Sequence, residues 1–478
     1  REGGAAARAA DRGGGGAHVV VDGAIFQVQA SRPQGIWRVW SQLIPAIARA
    51  LRARGARLTL LHRTSGVAAG HLRALAPAAW LDGTIALREV PPLDEHGDYD
   101  VDARMLARVC ESIGADVFVS TLYTSPTREE FLRRSAAAAP GSAVPADTAA
   151  EASGARRAGL LRGTQRVLLV HDMLPELEGW KEAQWEQKTR AISDADLVVA
   201  VSETTARHVR RFHFGKGGGG DASVTVVRNR VGVEWAPAGA AAIAAFRAKL
   251  GVATNAAYLL VVGSRSGYKN AAVAYAALAA SVRARSSASA SYAAPAPPPL
   301  TLVLVGGGAL SRSECEELRR LGLATCEAGS GEYASEHVVV LGLLSDAELR
   351  AAYSGALGLA HFSLHEGFGF PLLEAMACAC PVVALDISGS ALVEIGGRDA
   401  LLLVRVERDD DDGGGGSGGG SALRVDPHRV QASFAALQTD AALRTRLVAA
   451  GLARVEAFRG WAGAGEAWAN AIEALLAA

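Results

Sequence analysis

Short runs of β-branched and aliphatic residues alternate along the chain with longer Ala/Leu-rich stretches in which apolar positions recur every three or four residues. That rhythm predicts a βα repeat, with parallel strands covered on both faces. One series places strands at residues 19–21, 58–61, 117–119, 167–170, 197–201 and 224–227, with helices such as 36–54 and 182–193 between them. A second places strands at 259–262, 302–305, 338–341, 357–360 and 382–385, and helices at 271–283, 313–321, 346–353 and 371–379. Between the two series, Pro237 and Gly239 break the pattern within 229–239. The expectation is an α/β protein of two doubly wound domains, 18–235 and 236–460, preceded by a low-complexity Gly/Ala/Arg segment (1–17) and followed by a helix in 461–478. Such sheets bind ligands at the carboxyl ends of their strands, so two facing domains leave a cleft between those ends.

Composition narrows the field. At 478 residues, 50% of them hydrophobic, there is material for two domains with proper cores. Lys+Arg and Asp+Glu both number 49, and no basic block carries interleaved aromatics, which argues against a nucleic-acid partner. The five cysteines, Cys110, Cys315, Cys326, Cys378 and Cys380, are odd in number and scattered. They fit a reducing compartment, cytoplasm or organellar stroma, and read as small buried hydrophobes in preference to zinc ligands. No run approaches 18 apolar residues, so no membrane span is expected, while peripheral membrane contact stays open. Biased stretches at 136–155, 215–223, 284–299 and 407–421 read as surface insertions. The segment 1–17 fits a trimmed transit peptide and a fragment end equally well.

The densest chemistry lies in residues 363–374, Ser-Leu-His-Glu-Gly-Phe-Gly-Phe-Pro-Leu-Leu-Glu. Gly367 and Gly369 allow a tight turn, and Pro371 suits the first helical position. Glu366 then lies in the turn and Glu374 about one turn into a buried helix. A helix start suits a diphosphate, and carboxylates beside it can grip hydroxyls. Arg265 and Lys269, at i and i+4 after a strand, offer a planar fork and a point charge to two phosphates, with Gly263 and Gly267 permitting close backbone approach. A glycosidase acid/base pair needs carboxyl groups on opposite sides of the scissile bond, whereas Glu366 and Glu374 share one turn and helix start. Gly306–Gly308 resembles half of a dinucleotide fingerprint, with a turn or tight packing the better reading. Asp98-x-Asp100-x-Asp102 and Asp194-x-Asp196 have metal-site spacing, but the first reads as a polar loop and the second runs from a helix end into a strand. No metal ligand is assigned.

These motifs resemble, in order and over both halves, those of the family-4 retaining glycosyltransferases. The resemblance rests on Glu366 to Glu374 with Ala375-Met376-Ala377 and Pro381-Val382-Val383-Ala384, on Leu260 to Asn270, and on Val340-Leu341-Gly342 with Asp346 to Leu349. In the first half it rests on Gln34-Gly35-Ile36-Trp37-Arg38, Ser120 to Tyr123, His171 to Glu176 and Val201 to Thr204. It implies a GT-B fold, two Rossmann-like domains facing across a cleft, with the last helix folding back on the first domain. It also implies transfer of a hexosyl unit, with retention, from a nucleotide-diphospho-sugar of the GDP-mannose or UDP-glucose type to a glycan or other hydroxyl acceptor, without metal or cofactor. A catalytically silent binding protein on the same fold is the alternative. Within that frame Glu366 and His171 serve catalysis, His171 by positioning. Arg265, Lys269 and Gly35 hold the diphosphate, and Glu374 holds the ribose. Gly367, Phe368, Gly369, Asp172, Ser202 and Glu203 line the sugar and cleft, with Ser202 equally suited to a helix N-cap. Departures from the family pattern are Gln34 beside Gly35, Cys380 at a position commonly glycine, and Asn229-Arg230-Val231-Gly232 in place of an Asn-Gly-Val turn.

Overall fold

The structure is a computed structural model. It describes residues 16–29, 35–63, 84–93, 99–124, 126, 164–181, 183–215, 223–251, 256–289, 298–324, 326, 329, 332–408 and 423–478. The segment read as an insertion at 136–155 and residues 409–421 of the one read at 407–421, together with 1–15, Gln34 and Asp98, lie outside the described residues, while Glu407–Arg408 form a short strand.

The chain forms two compact units: the part up to Asn229 together with Trp461–Ala478, and Arg230–Gly460. The first unit holds a seven-stranded sheet of β1 (His18–Asp22), β2 (Arg57–Arg63), β3 (Ile85–Val90), β4 (Val117–Ser120), β5 (Gln165–Val170), β6 (Leu197–Ala200) and β7 (Ser223–Val226). Its spatial order is β3-β2-β1-β4-β5-β6-β7, and every pairing is parallel. The second unit holds β8 (Ala257–Val262), β9 (Leu300–Val305), β10 (Tyr333–Ala334), β11 (Val338–Leu341), β12 (Gly358–His361), β13 (Val382–Asp386) and β14 (Leu401–Arg405). Its order is β10-β11-β9-β8-β12-β13-β14, parallel but for the short edge strand β10. Each sheet reverses direction of growth beside its first strand, the doubly wound arrangement in which loops at the strand carboxyl ends form sites. Strands such as β1, β6, β9 and β11 are buried throughout, as continuous Val/Leu runs between two helical layers require.

The last helix, Ala462–Ala477, belongs to the first unit and packs on the helix Gly35–Ala53. Trp468 meets Trp40 with ring centroids 5.9 Å apart. Gly465 makes the approach close, since a Cβ there would lie 2.4 Å from the Ala46 carbonyl oxygen. Arg54 ties the same pair of helices through Asn470, Glu466 and Glu473.

Asp102 departs from the polar-loop expectation. It lies in the helix Tyr99–Ile113, is buried, and receives two hydrogen bonds from Arg63, which also grips Asp22 in fork geometry. Thr124 donates to the same Asp22 carboxylate. Burial raises the Asp102 carboxyl, and Arg63 opposes that rise. The trio is a buried ion network at the strand ends, where each lone pair needs a partner. Asp194 and Asp196 flank Arg166 at 3.7 and 3.6 Å.

Candidate active site

β8 ends at Val262, and the chain turns through Gly263 (φ 99°) into a single 3-10 turn, Gly267–Lys269, that stops at Asn270 in the left-handed region (φ 55°). The loop after β12 is fastened to that turn, because the Leu364 N–H donates to the Tyr268 carbonyl at 2.8 Å. This stitch brings together groups 97 positions apart: Lys269 Nζ donates to Glu366 Oε1 at 2.6 Å. His361, the last residue of β12, places Nε2 at 3.2 Å from the same oxygen. That approach is close, but among the described residues His361 Nε2 makes no well-aligned hydrogen bond, and it acts on Glu366 chiefly by proximity. The Lys269, Glu366 and His361 side chains are 19%, 11% and 4% exposed. Burial alone raises the Glu366 carboxyl, but Lys269 and then His361 outweigh it and hold it down at about 2. The result is a charged carboxylate in a largely dry corner, with its counter-ion at the end of a four-carbon lysine stem.

Gly369 (φ 93°) opens the helix Phe370–Ala377. Glu374 sits in its second turn, 3% exposed, and accepts a long hydrogen bond from Tyr353 Oη at 3.4 Å. The Phe368 ring is taken up by packing against Phe370 and Phe458, centroids 5.1 and 6.0 Å away, so only its backbone is free to face a sugar. At the end of this helix the left-handed residue is Ala379 (φ 60°), one position before Cys380. The place where glycine would relieve the backbone is therefore Ala379 and not Cys380.

Arg265 is directed elsewhere. Its guanidinium donates from Nε to Glu314 Oε1 (2.7 Å), from Nη1 to the Gly306 carbonyl (2.6 Å), and from Nη2 to the carbonyls of Gly308 (3.1 Å) and Ala309 (3.0 Å). Four of its five N–H groups are thus spent inside the protein. Gly306, Gly307 and Gly308 all have positive φ, and a Cβ on Gly307 would meet Arg265 Nη1 at 2.7 Å. The glycine triplet is the wrapping of a buried arginine, which is the tight-packing reading. Lys269 and Glu366 come together; Arg265 shapes the neighbouring loop.

In the first unit His171 follows β5. Its Nε2 is buried without a partner among the described residues, and burial with the nearby Lys188 charge lowers the ring to about 3. Lys188, wholly buried on the helix Ala183–Asp194, donates to the Asp172 carbonyl (2.9 Å) and to Glu176 Oε2 (2.8 Å). Burial raises the Glu176 carboxyl, yet His213 and Lys188 bring it below its ordinary value. Ser202 is the N-cap of the helix Glu203–Val209, accepting from the Thr205 N–H at 3.0 Å. Glu203 is exposed, 3.6 Å from Arg228. Gly35 is exposed at the first residue of its helix.

Sequence reasoning missed His361, Lys188, Glu314 and Tyr353. A polar residue closing the apolar run Leu359-Ala360 was a usable signal for His361. Lys188 has none, since a lysine on an amphipathic helix usually snorkels to solvent.

Residues 256–412 match the model of the family described as Glycosyl transferases group 1. That span contains Arg265, Lys269, Glu366 and Glu374. The chain is 30% identical over 256 residues to the alpha-maltose-1-phosphate synthase of Mycolicibacterium smegmatis. The match takes in 52% of this chain and spans 60% of that protein. Among solved structures, the Anabaena protein HepE in complex with UDP and glucose aligns at a TM-score of 0.59 and 16% identity, covering 96% of this chain and 100% of the other. Sucrose-phosphate synthase from Thermosynechococcus elongatus aligns at 0.59 and 15%, covering 96% and 99%. The chain has the GT-B fold. At these identities the structural likeness shows the fold alone, and the site must be argued from its own residues. No helix among the described residues is long and apolar enough to cross a membrane.

Proposed function

We propose that the chain is a retaining glycosyltransferase that moves a hexosyl unit from a nucleotide-diphospho-sugar to a hydroxyl acceptor without a metal ion. The observation that carries this reading is the Lys269–Glu366–His361 cluster, an anionic carboxylate and a cation at strand carboxyl ends within the family-matched stretch. In the reaction the bond from the anomeric carbon to the diphosphate oxygen breaks, and the acceptor oxygen bonds to that carbon on the same face. The acceptor proton passes to the departing phosphate. Lys269 turns from Glu366 to the diphosphate, whose developing charge it offsets, and Glu366 faces the ring as it gains positive charge. Glu374, fixed by Tyr353, holds the ribose hydroxyls. Arg265 keeps the adjacent loop in shape, and its one remaining N–H is what it can offer a phosphate. His171, kept neutral, positions the sugar.

The relatives favour a glucosyl donor on uridine diphosphate over a mannosyl donor on guanosine diphosphate, since HepE is described with UDP and glucose and both named synthases make glucose-containing products by their names. Mixing the protein with UDP-glucose or GDP-mannose and a panel of hydroxyl acceptors should release the nucleoside diphosphate at a rate insensitive to chelator. Donor binding without any release would assign the chain to the silent class, and loss of turnover on chelation would overturn the metal-free mechanism.

A further inference from the structure

The ion pair between Lys269 and Glu366 raises a problem that the cluster itself answers. The single charge of Lys269 cannot balance both Glu366 and a diphosphate, and before any donor arrives one of its three N–H groups is given to Glu366 at 2.6 Å. When it leaves, a carboxylate 11% exposed would lose the partner that offsets its burial. Among the described residues, the other side chain paired with Glu366 is His361, which is 4% exposed and fixed at the end of a central strand paired on both sides. Its Nε2 is buried, has no well-aligned hydrogen-bond partner among the described residues, and stands 3.2 Å from Glu366 Oε1. A modest turn of the carboxylate, freed from the lysine, aligns the two atoms. We propose that His361 is a positioning residue that takes over Glu366 from Lys269 when the donor diphosphate draws the lysine away. It keeps the carboxylate aimed at the sugar ring. Lys269 thus opens and closes with the donor, while His361 is the fixed anchor of the pair.

This inference rests on the glycosyltransferase reading, and two readouts keep their failures apart. The first needs no turnover: melting temperatures, all in a Lys269→Met background that stands in for the lysine drawn away, of the parent, His361→Phe, Glu366→Gln and the double variant. A working contact predicts that the loss caused by His361→Phe shrinks by at least half when Glu366 is already Gln. Equal losses in both backgrounds would make His361 mere packing and overturn the proposal. The second is steady-state kinetics with UDP-glucose. His361→Phe should lower kcat about tenfold with the donor KM within about twofold, and His361→Gln, which can still donate, should recover most of it. A rise in KM with kcat unchanged, or no recovery in His361→Gln, would also overturn it. If wild type itself releases no nucleoside diphosphate, the functional reading fails, and the melting cycle still decides whether His361 holds Glu366.

Discussion

Two histidines stand at the carboxyl ends of central parallel strands, one in each unit, and their neighbours carry opposite charge. Burial, and after it the nearby ammonium of Lys188, leaves the ring of His171 after β5 at about 3. His361 at the end of β12 lies against the carboxylate of Glu366. The same side chain at equivalent points of equivalent sheets is therefore prepared for different work. A ring at about 3 is a poor base near neutral pH, so the role proposed for His171 is that of a neutral hydrogen-bonding group. His361 supports an anion. What separates them is the neighbouring charge: at His171 the ammonium of Lys188, bonded to Glu176 and the Asp172 carbonyl, adds to burial, whereas beside His361 stands the carboxylate of Glu366.

The comparison breaks most sharply at Lys188. Lys188→Met removes a buried cation that bonds Glu176 and the Asp172 carbonyl, which should cost about 3–5 kcal/mol in denaturant unfolding. In the same variant the His171 imidazole resonances should begin to titrate above pH 4. A loss below about 1 kcal/mol, or a ring still silent, would mean that burial alone sets His171 and that the charge contrast is incidental.

A smaller effect tests the other half. Because the Glu366 carboxyl lies at about 2 when folded, below its ordinary 4.5, the native state binds fewer protons than the unfolded chain in that interval. Its stabilising contribution is therefore complete above about pH 4.5 and is lost as pH falls toward 2. Wild type should lose about 2 kcal/mol more than Glu366→Gln between pH 6 and pH 3, as read from urea midpoints. Parallel pH profiles for the two proteins would show that Lys269 and His361 do not hold the carboxylate down. The smallest effect comes from the helix that carries Glu374. Ala379 occupies a left-handed conformation that disfavours a Cβ, so Ala379→Gly should raise stability by about 0.5–1 kcal/mol. A destabilised variant would indicate that the entropy lost by glycine outweighs the relieved strain.

Much of the fold is legible in the sequence because central strands are continuous apolar runs. β3 escapes because it is an edge strand with an exposed middle, Ala86-Leu87-Arg88-Glu89, and its sequence does not look like a core element. The carboxylates of the site are legible because a turn and a helix start hold them within twelve positions. The partners are not. Arg265 meets the carbonyls of Gly306, Gly308 and Ala309 and the Glu314 carboxylate 41 to 49 positions later, and Asp102 meets Arg63 39 positions earlier. Local spacing carries the type of a charged residue, whereas only the sheet order says what its charge will face. Arg265 reads as a phosphate ligand for that reason, and Asp102 reads as solvated for the same one.

The account turns on Glu366 acting on the reacting sugar while Glu374 holds the nucleoside, and steady-state kinetics of Glu366→Gln and Glu374→Gln test this most directly. With the donor that wild type accepts, Glu366→Gln should lose kcat by about 100-fold or more at modest cost in donor KM, since its charge matters most as the ring becomes positive. Glu374→Gln should raise donor KM with kcat much less affected, because the ribose contact is alike in ground and transition states. Full kcat in Glu366→Gln, or the two patterns exchanged, would contradict the assignment at its centre.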